Sequence, residues 1–373
     1  VKKVYLSIFF IIFLILPSAN ADLLNTNREI NGQESDYERM PVHAPEHNIS
    51  PILTVHQKPS PFDELISPMA VYQKPYKYAS YGLPNPLANG KSITNPAHYV
   101  HKASYQKLHS IHGYNKLVDK RLYFLTHRLK PRFAEWLGRS SRYLPLMLDI
   151  IEEKGLPAHI VFLPLIESGF KTSAFSRAQA AGQWQFIAPT AKRYGLRIDQ
   201  WVDERRDPEK ATIAAANYLS DLYEMFNSWN LALAGYNCGE NRIAKAISES
   251  GTNNFWKLRH LLPQETRNYV PTYIAAAMIA KDPVYYGFKN VKYERPLEFD
   301  LVMLGYPMNL KTVAHMVGTS VRMLRKLNPE LKTNKTPPDV SHYLLRIPEG
   351  KRKTFFDNIT RLADNERQKI VRK

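Results

Sequence analysis

One carboxylate stands alone in the middle of this chain. Glu167 is the only acidic residue between Glu153 and Asp199, and it closes an apolar run from Ile160 to Ile166 broken only by Pro164. A carboxyl at the edge of apolar surface loses solvation, which raises its pKa and lets it carry a proton near neutrality, as a general acid must. Hydroxyl, amide and aromatic side chains follow it: Ser168, Gln183, Trp184, Gln185 and Tyr194. These are the groups that line sugar clefts. An arbitrary Glu more often caps or salt-bridges a helix, and it is the company of Glu167 that turns the reading toward chemistry. Two further clusters belong with it. Gly182-Gln183-Trp184-Gln185 opens on a glycine that permits close backbone approach, then offers amides and, at Trp184, either a stacking face or a core ring. Gly235-Tyr236-Asn237-Cys238-Gly239 follows a helical stretch able to return Tyr236 and Asn237 to the same cleft. Cys238, the only cysteine, has no partner base in view and reads as a small hydrophobe.

The elements that must position these residues are helical. Leu144, Met147, Leu148 and Ile151 form one apolar stripe that ends at Gly155 and Pro157. Leu117, Leu122, Leu125 and Leu129 predict an earlier helix stopped by Pro131. Asp207-Pro208 reads as a helix start, Asp as N-cap and Pro at the first position, with an Ala-rich helix behind it. Segments 231–236, 242–248 and 266–280 predict further helices, and no sustained two-residue alternation occurs between 105 and 285. After Pro283 the pattern changes. Strand 297–303, helices 310–317 and 320–327 and strand 343–347 predict a small module. Its two helices also fit a helix-turn-helix. Residues 351–373 read as a charged amphipathic helix or a solvated end.

A chain of 373 residues, 44% apolar, is long enough for a substantial core, and its net charge of +17 suits a polyanionic partner. Lys2 and Lys3, an apolar run to Leu16 and Ala19-Asn20-Ala21 predict a secretory leader over 1–21, cleaved after Ala21. No cysteine follows that run for lipid attachment, which leaves membrane association open. Export argues against chromosomal DNA binding. Ten prolines between Pro41 and Pro96 predict a disordered spacer over 22–104, with Tyr72, Tyr76, Tyr78 and Tyr81 available to dock on a partner. His98, His101, His109 and His112 make two His-x-x-His pairs without accompanying Cys or carboxylate, so no metal site is expected.

Residues 130–285 resemble the catalytic domain of the lytic murein transglycosylases, the goose-lysozyme-like glycoside hydrolase family 23, and within it the membrane-bound D subgroup. The motifs that carry the resemblance are Glu167-Ser168, Gly182 to Gln185 with its Trp184, and Gly235-Tyr236-Asn237, which departs from the family's Ala-Tyr-Asn at the first position. Glu265 to Val270, containing Tyr269, and Asp203 to Pro208 complete the set. The region 297–350 resembles one degenerate LysM (peptidoglycan-binding) module, with Asn328-Pro329 ending its second helix.

The resemblance implies a mainly α protein. A lysozyme-like all-helical catalytic domain over 105–290 is followed by a small α+β LysM-like module over 291–350 and a charged tail over 351–373. It implies cleavage of the β-1,4 bond between N-acetylmuramic acid and N-acetylglucosamine in peptidoglycan glycan strands, without water, in the periplasm or at the cell wall. Glu167 is the implied acid, then base. Ser168, Gly182, Trp184, Gln185, Tyr236, Asn237 and Tyr269 are the implied substrate-binding residues, with no cofactor, metal or nucleic acid. A single carboxylate fits that scheme, since no other acid lies near Glu167 in sequence, although Asp203, Glu204 or Glu240 could approach it on folding. The rival readings are a hydrolytic muramidase on the same scaffold and a non-catalytic wall-binding protein. Oligomeric state is not legible.

Overall fold

The computed structural model describes residues 115–371, with side chains through 361. The predicted leader, the Pro-rich spacer with its tyrosines, and the paired histidines lie outside the described residues. Helices dominate what is described, as the periodicity required. The order is α1 (Lys116–Tyr123), a π turn (Phe124–Arg128), α2 (Lys130–Ser140), α3 (Leu144–Glu153), a 3-10 turn (Ala158–Phe162), α4 (Leu163–Glu167) and α5 (Ala188–Arg193). Then come a 3-10 turn (Glu204–Arg206), α6 (Pro208–Phe226), α7 (Trp229–Cys238), α8 (Glu240–Ser250), α9 (Phe255–Leu258), a 3-10 turn (Arg259–Leu261) and α10 (Gln264–Lys281).

The caps follow the sequence closely at one point and depart at another. Asp207 accepts from the backbone N–H groups of Glu209 and Lys210, with Pro208 first in α6. Pro131, expected to stop a helix, instead sits in the first turn of α2. Its missing N–H costs nothing there, and the break falls at Leu129 behind the π turn.

α6 and α7 pack together, and both carry small buried residues, Ala214, Ala215 and Ala216 on one and Ala232 and Ala234 on the other. α10 runs through the core against α1, α4 and α7. It carries Pro271 in its interior, which leaves the Arg267 carbonyl one turn back without its helical donor. The Arg259 guanidinium donates to that carbonyl at 3.3 Å.

The C-terminal module pairs β1 (Phe299–Leu304) antiparallel with β2 (Tyr343–Pro348), in register from Phe299 opposite Pro348 to Leu304 opposite Tyr343. α11 (Leu310–Val317) and α12 (Val321–Leu327) lie between the strands in sequence, and α13 (Arg352–Val371) comes after them. Val302, Leu304, Val313, Val317, Leu324, Leu345 and Ile347 form its core. Phe355 of α13 is fully buried in that core, so the tail begins as part of the packing rather than as a solvated end.

Candidate active site

Glu167 ends α4, a five-residue helix whose Leu163, Pro164 and Leu165 are buried. Beyond Ser168 the chain reverses sharply. Gly169 and Phe170 both take left-handed φ, 58° and 61°. At Gly169 a Cβ would lie 2.4 Å from the Trp136 ring, so only glycine fits. Burial of Phe170 and a hydrogen bond from Arg139 to the Gly169 carbonyl hold the turn. The reversal leaves the Glu167 carboxyl projecting from the end of a buried segment.

The Tyr269 hydroxyl of α10 donates to Glu167 Oε1. No ion pair among the described residues involves Glu167. Burial pushes its pKa up to about 7, with the Glu265 charge adding to the rise and the Tyr269 hydrogen bond opposing it. The carboxyl is therefore poised to hold a proton at neutral pH and to give it up. Tyr269 and Tyr236 are themselves raised well above the ordinary phenol range, chiefly by burial and next by the Glu167 charge, so both remain hydroxyl donors.

The loop 174–186 lies beside the end of α4. Ser168 does not reach the Glu167 carboxylate; its hydroxyl donates to the Gln183 carbonyl at 2.8 Å, stapling the loop to the helix end. The Gln183 amide returns the tie, donating to the Phe170 carbonyl at 3.2 Å. Gln185 sits at φ 50°, a costly conformation for a non-glycine residue, and donates to the Gly182 carbonyl at 2.7 Å. Its Oε1 is buried without a partner, as is that of Gln183.

Of the two readings of Trp184, stacking face or core, the structure places the ring in the core. It is fully buried, and its indole N–H donates to Thr212 Oγ1 of α6 at 2.9 Å. A large apolar ring with one donor gains more from that dry pocket than from a wet cleft. Gly182 contributes by absence, since a Cβ there would stand 1.7 Å from the Arg205 carbonyl oxygen.

α7 brings Tyr236 and Asn237 to the same place. The Tyr236 hydroxyl donates to the Trp184 carbonyl at 2.7 Å. Asn237 accepts from Thr266 Oγ1 at 2.7 Å and donates to Glu265 Oε1 at 3.4 Å, which fixes its amide between two consecutive residues of α10. Cys238 is half-buried, and burial raises its thiol pKa, which suits packing rather than attack.

Sequence reasoning missed the second carboxyl. Asp203, Glu204 and Glu240 each pair elsewhere, with Arg205, Lys210 and Arg193 respectively. Glu265 faces the site instead, with its own pKa raised by burial. The available signal was its position one helical turn before Tyr269, which puts both on one face of α10. Thr212 and Thr266 were also missed, because their partners are far away in sequence. Among the described residues no cluster of three or more His, Cys, Asp or Glu could hold a metal ion. Two open hollows, of about 550 and 470 Å³, are lined by Thr126, His127 and Tyr285 and by Arg242, His260 and Arg267, away from Glu167.

Residues 152–259 match the transglycosylase SLT domain, and residues 298–364 match the LysM-like domain of the lytic transglycosylase MltD. The membrane-bound lytic murein transglycosylase D of Escherichia coli K12 is 36% identical over 199 residues, which is 52% of this chain. The chain spans only 44% of that relative's length. The peptidoglycan transglycosylase gp16 of phage T7 is 34% identical over 156 residues, 40% of this chain and 11% of its own. Among solved structures, the soluble lytic transglycosylase Slt70 of Escherichia coli overlaps 55% of this chain and 34% of its own at 16% identity. Its TM-score of 0.35 is too low to bear on the fold.

Proposed function

We propose that this chain, whose residues 152–259 match the transglycosylase SLT domain and 298–364 the LysM-like domain of MltD, cleaves peptidoglycan glycan strands between N-acetylmuramic acid and N-acetylglucosamine without consuming water. Protonated Glu167 gives its proton to the glycosidic oxygen as the bond to C1 breaks. The acetamido carbonyl oxygen of the muramoyl residue closes on C1 and takes up the developing charge. Glu167, now a carboxylate, removes the proton from the C6 hydroxyl, whose oxygen displaces the acetamido oxygen to give a 1,6-anhydro sugar. The cycle returns Glu167 to its protonated form, so protons and bonds balance without a second reactant.

The observation that carries this reading is the state of Glu167: no cation pairs with it, Tyr269 donates to it, and burial holds its pKa at about 7. A purely structural Glu at a helix end would be expected to find an ion-pair partner. Asn237, held by Glu265 and Thr266, is the group assigned here to orient the acetamido group. Export to the periplasm or cell wall belongs to the same proposal. No helix among the described residues is long and apolar enough to cross a membrane.

Mass spectrometry of purified murein digested by the wild type and by Glu167→Gln tests the proposal. Products ending in 1,6-anhydro-N-acetylmuramic acid are expected from the first and none from the second, while sedimentation with intact wall persists in both. Reducing ends in place of anhydro ends would identify a hydrolytic muramidase. Undiminished cleavage by the variant would remove Glu167 from the chemistry.

A further inference from the structure

The Asp203 to Pro208 segment is prominent in the sequence, yet none of it touches Glu167. The structure gives it another occupation. Leu345 and Ile347 of β2 face the module's core, so Arg346 between them points to the opposite side of the strand, where it is buried at 5% exposure. There it meets Asp207, the N-cap of α6, at 2.8 and 3.1 Å, and Glu209 at 2.9 Å. Glu330 of the module stands 3.9 Å from the same guanidinium and accepts from the Tyr343 hydroxyl at 2.8 Å. Asn328, fully buried, locks the Arg346 backbone, accepting from its N–H at 2.8 Å and donating to its carbonyl at 2.7 Å.

The same segment is threaded into the module. Val202 lies in the module's core, bridged to Leu331, and Asp203 N–H donates to the Glu330 carbonyl at 2.8 Å. From Asp203 the connection runs to the candidate site. Asp203 grips Arg205 through two bonds of 2.8 Å. The Arg205 guanidinium then donates to the Gln179 and Phe186 carbonyls at 2.7 and 3.1 Å, closing both ends of the loop that contains Gln183, Trp184 and Gln185. Gly182 lies directly on the Arg205 carbonyl.

We propose that the LysM-like module is a fixed part of the catalytic unit rather than a tethered wall anchor, and that Arg346 is a positioning residue, holding segment 203–207 so that Arg205 keeps the Gly182–Gln185 loop in its working shape. The proposal rests on the lytic reading above for its effect on turnover, but not for its effect on the loop. A buried guanidinium among three carboxylates is an expensive arrangement unless geometry repays it, and here the geometry ties together two cores that segment 282–298 otherwise connects.

The test uses the full chain and Arg346→Lys, which keeps the charge but loses the planar fork that spans Asp207 and Glu209. Two readouts are required together. Hydrogen exchange of the Ala181 and Gly182 amides, bonded to the Phe186 and Ala174 carbonyls, is expected to speed up at least tenfold. On short, soluble, uncross-linked glycan chains kcat is expected to fall at least fivefold with KM little changed, while sedimentation with intact wall is retained. Unchanged loop exchange overturns the proposal, and so does an unchanged kcat, above all if wall binding falls instead. Should Arg346→Lys fail to fold, Glu330→Gln, which keeps an acceptor for Tyr343, is expected to move both readouts the same way by a smaller factor. If the wild type itself releases no anhydro product, the functional reading fails and the exchange measurement alone decides this one.

Discussion

Two carboxyls at helix ends, half-buried Glu167 and buried Asp207, have opposite fates. Glu167 ends α4, meets a tyrosine hydroxyl and no cation, and has its pKa pushed to about 7. Asp207 begins α6, and although burial alone would raise its pKa, the Arg346 guanidinium and the backbone N–H groups of the cap hold it below the ordinary carboxylate value. Desolvation acts on both in the same direction, so the partner decides the outcome. A carboxyl kept from any cation can exchange a proton at neutral pH. One clamped by arginine and helix N–H groups can only hold structure in place.

The sharpest way to break that contrast is to neutralise each carboxyl in turn and follow thermal unfolding. Asp207→Ala removes the cap and leaves Arg346 facing fewer acids in a dry pocket, for an expected loss of about 3–5 kcal/mol and a midpoint lower by on the order of 10 °C. Glu167→Gln is expected to unfold at the wild-type temperature or above it at pH 7. Their pH dependence has opposite signs. Glu167 has a raised folded pKa, so the unfolded chain loses that proton first and stability falls as pH rises from 4.5 toward 7; Glu167→Gln should flatten this fall in pH-dependent melts. Asp207 has a lowered folded pKa, so its contribution is complete above 3.8 and is lost as pH drops below it.

Smaller changes sharpen the same comparison. Tyr269→Phe removes the donor to Glu167 without removing the ring, and a loss of about tenfold in kcat is expected, with the basic limb of the pH–rate profile displaced upward. An unchanged profile would show that this hydrogen bond does not govern the acid. Glu265→Gln is the mildest. It removes a like charge that raises Glu167, so the basic limb should move down in pH, with the melting temperature preserved. A shift in the other direction would mean that Glu265 acts on something else.

Much of the catalytic half was readable before folding because it is written in local chemistry. The apolar run ending in Glu167 needs only neighbouring residues to make its case, and so do the Asp207-Pro208 helix start and the strand-helix-helix-strand order of the module. Residues whose importance depends on distant partners were left open or missed. Trp184 could be a stacking face or core on sequence alone, because nothing nearby in sequence announces Thr212, which takes its indole N–H. Ser168, next to Glu167 in sequence, reaches the Gln183 carbonyl, fifteen residues on. Pro131 carried the right signal for a boundary, but on the wrong side of it.

The sequence by itself pointed to the chemistry proposed and determined the kind of scaffold: a lone carboxyl closing an apolar run, set among helices whose periodicity needs no tertiary help to be seen. The tertiary structure alone decided which groups surround that carboxyl, by bringing Glu265 and Tyr269 to it across about a hundred residues of chain. It alone placed Arg346 on Asp207, 139 positions away, binding the module to the segment that supports the loop. Local propensity and solvation act over a few residues and leave their mark in composition, whereas a hydrogen bond or ion pair between remote residues exists only once the core has closed around it.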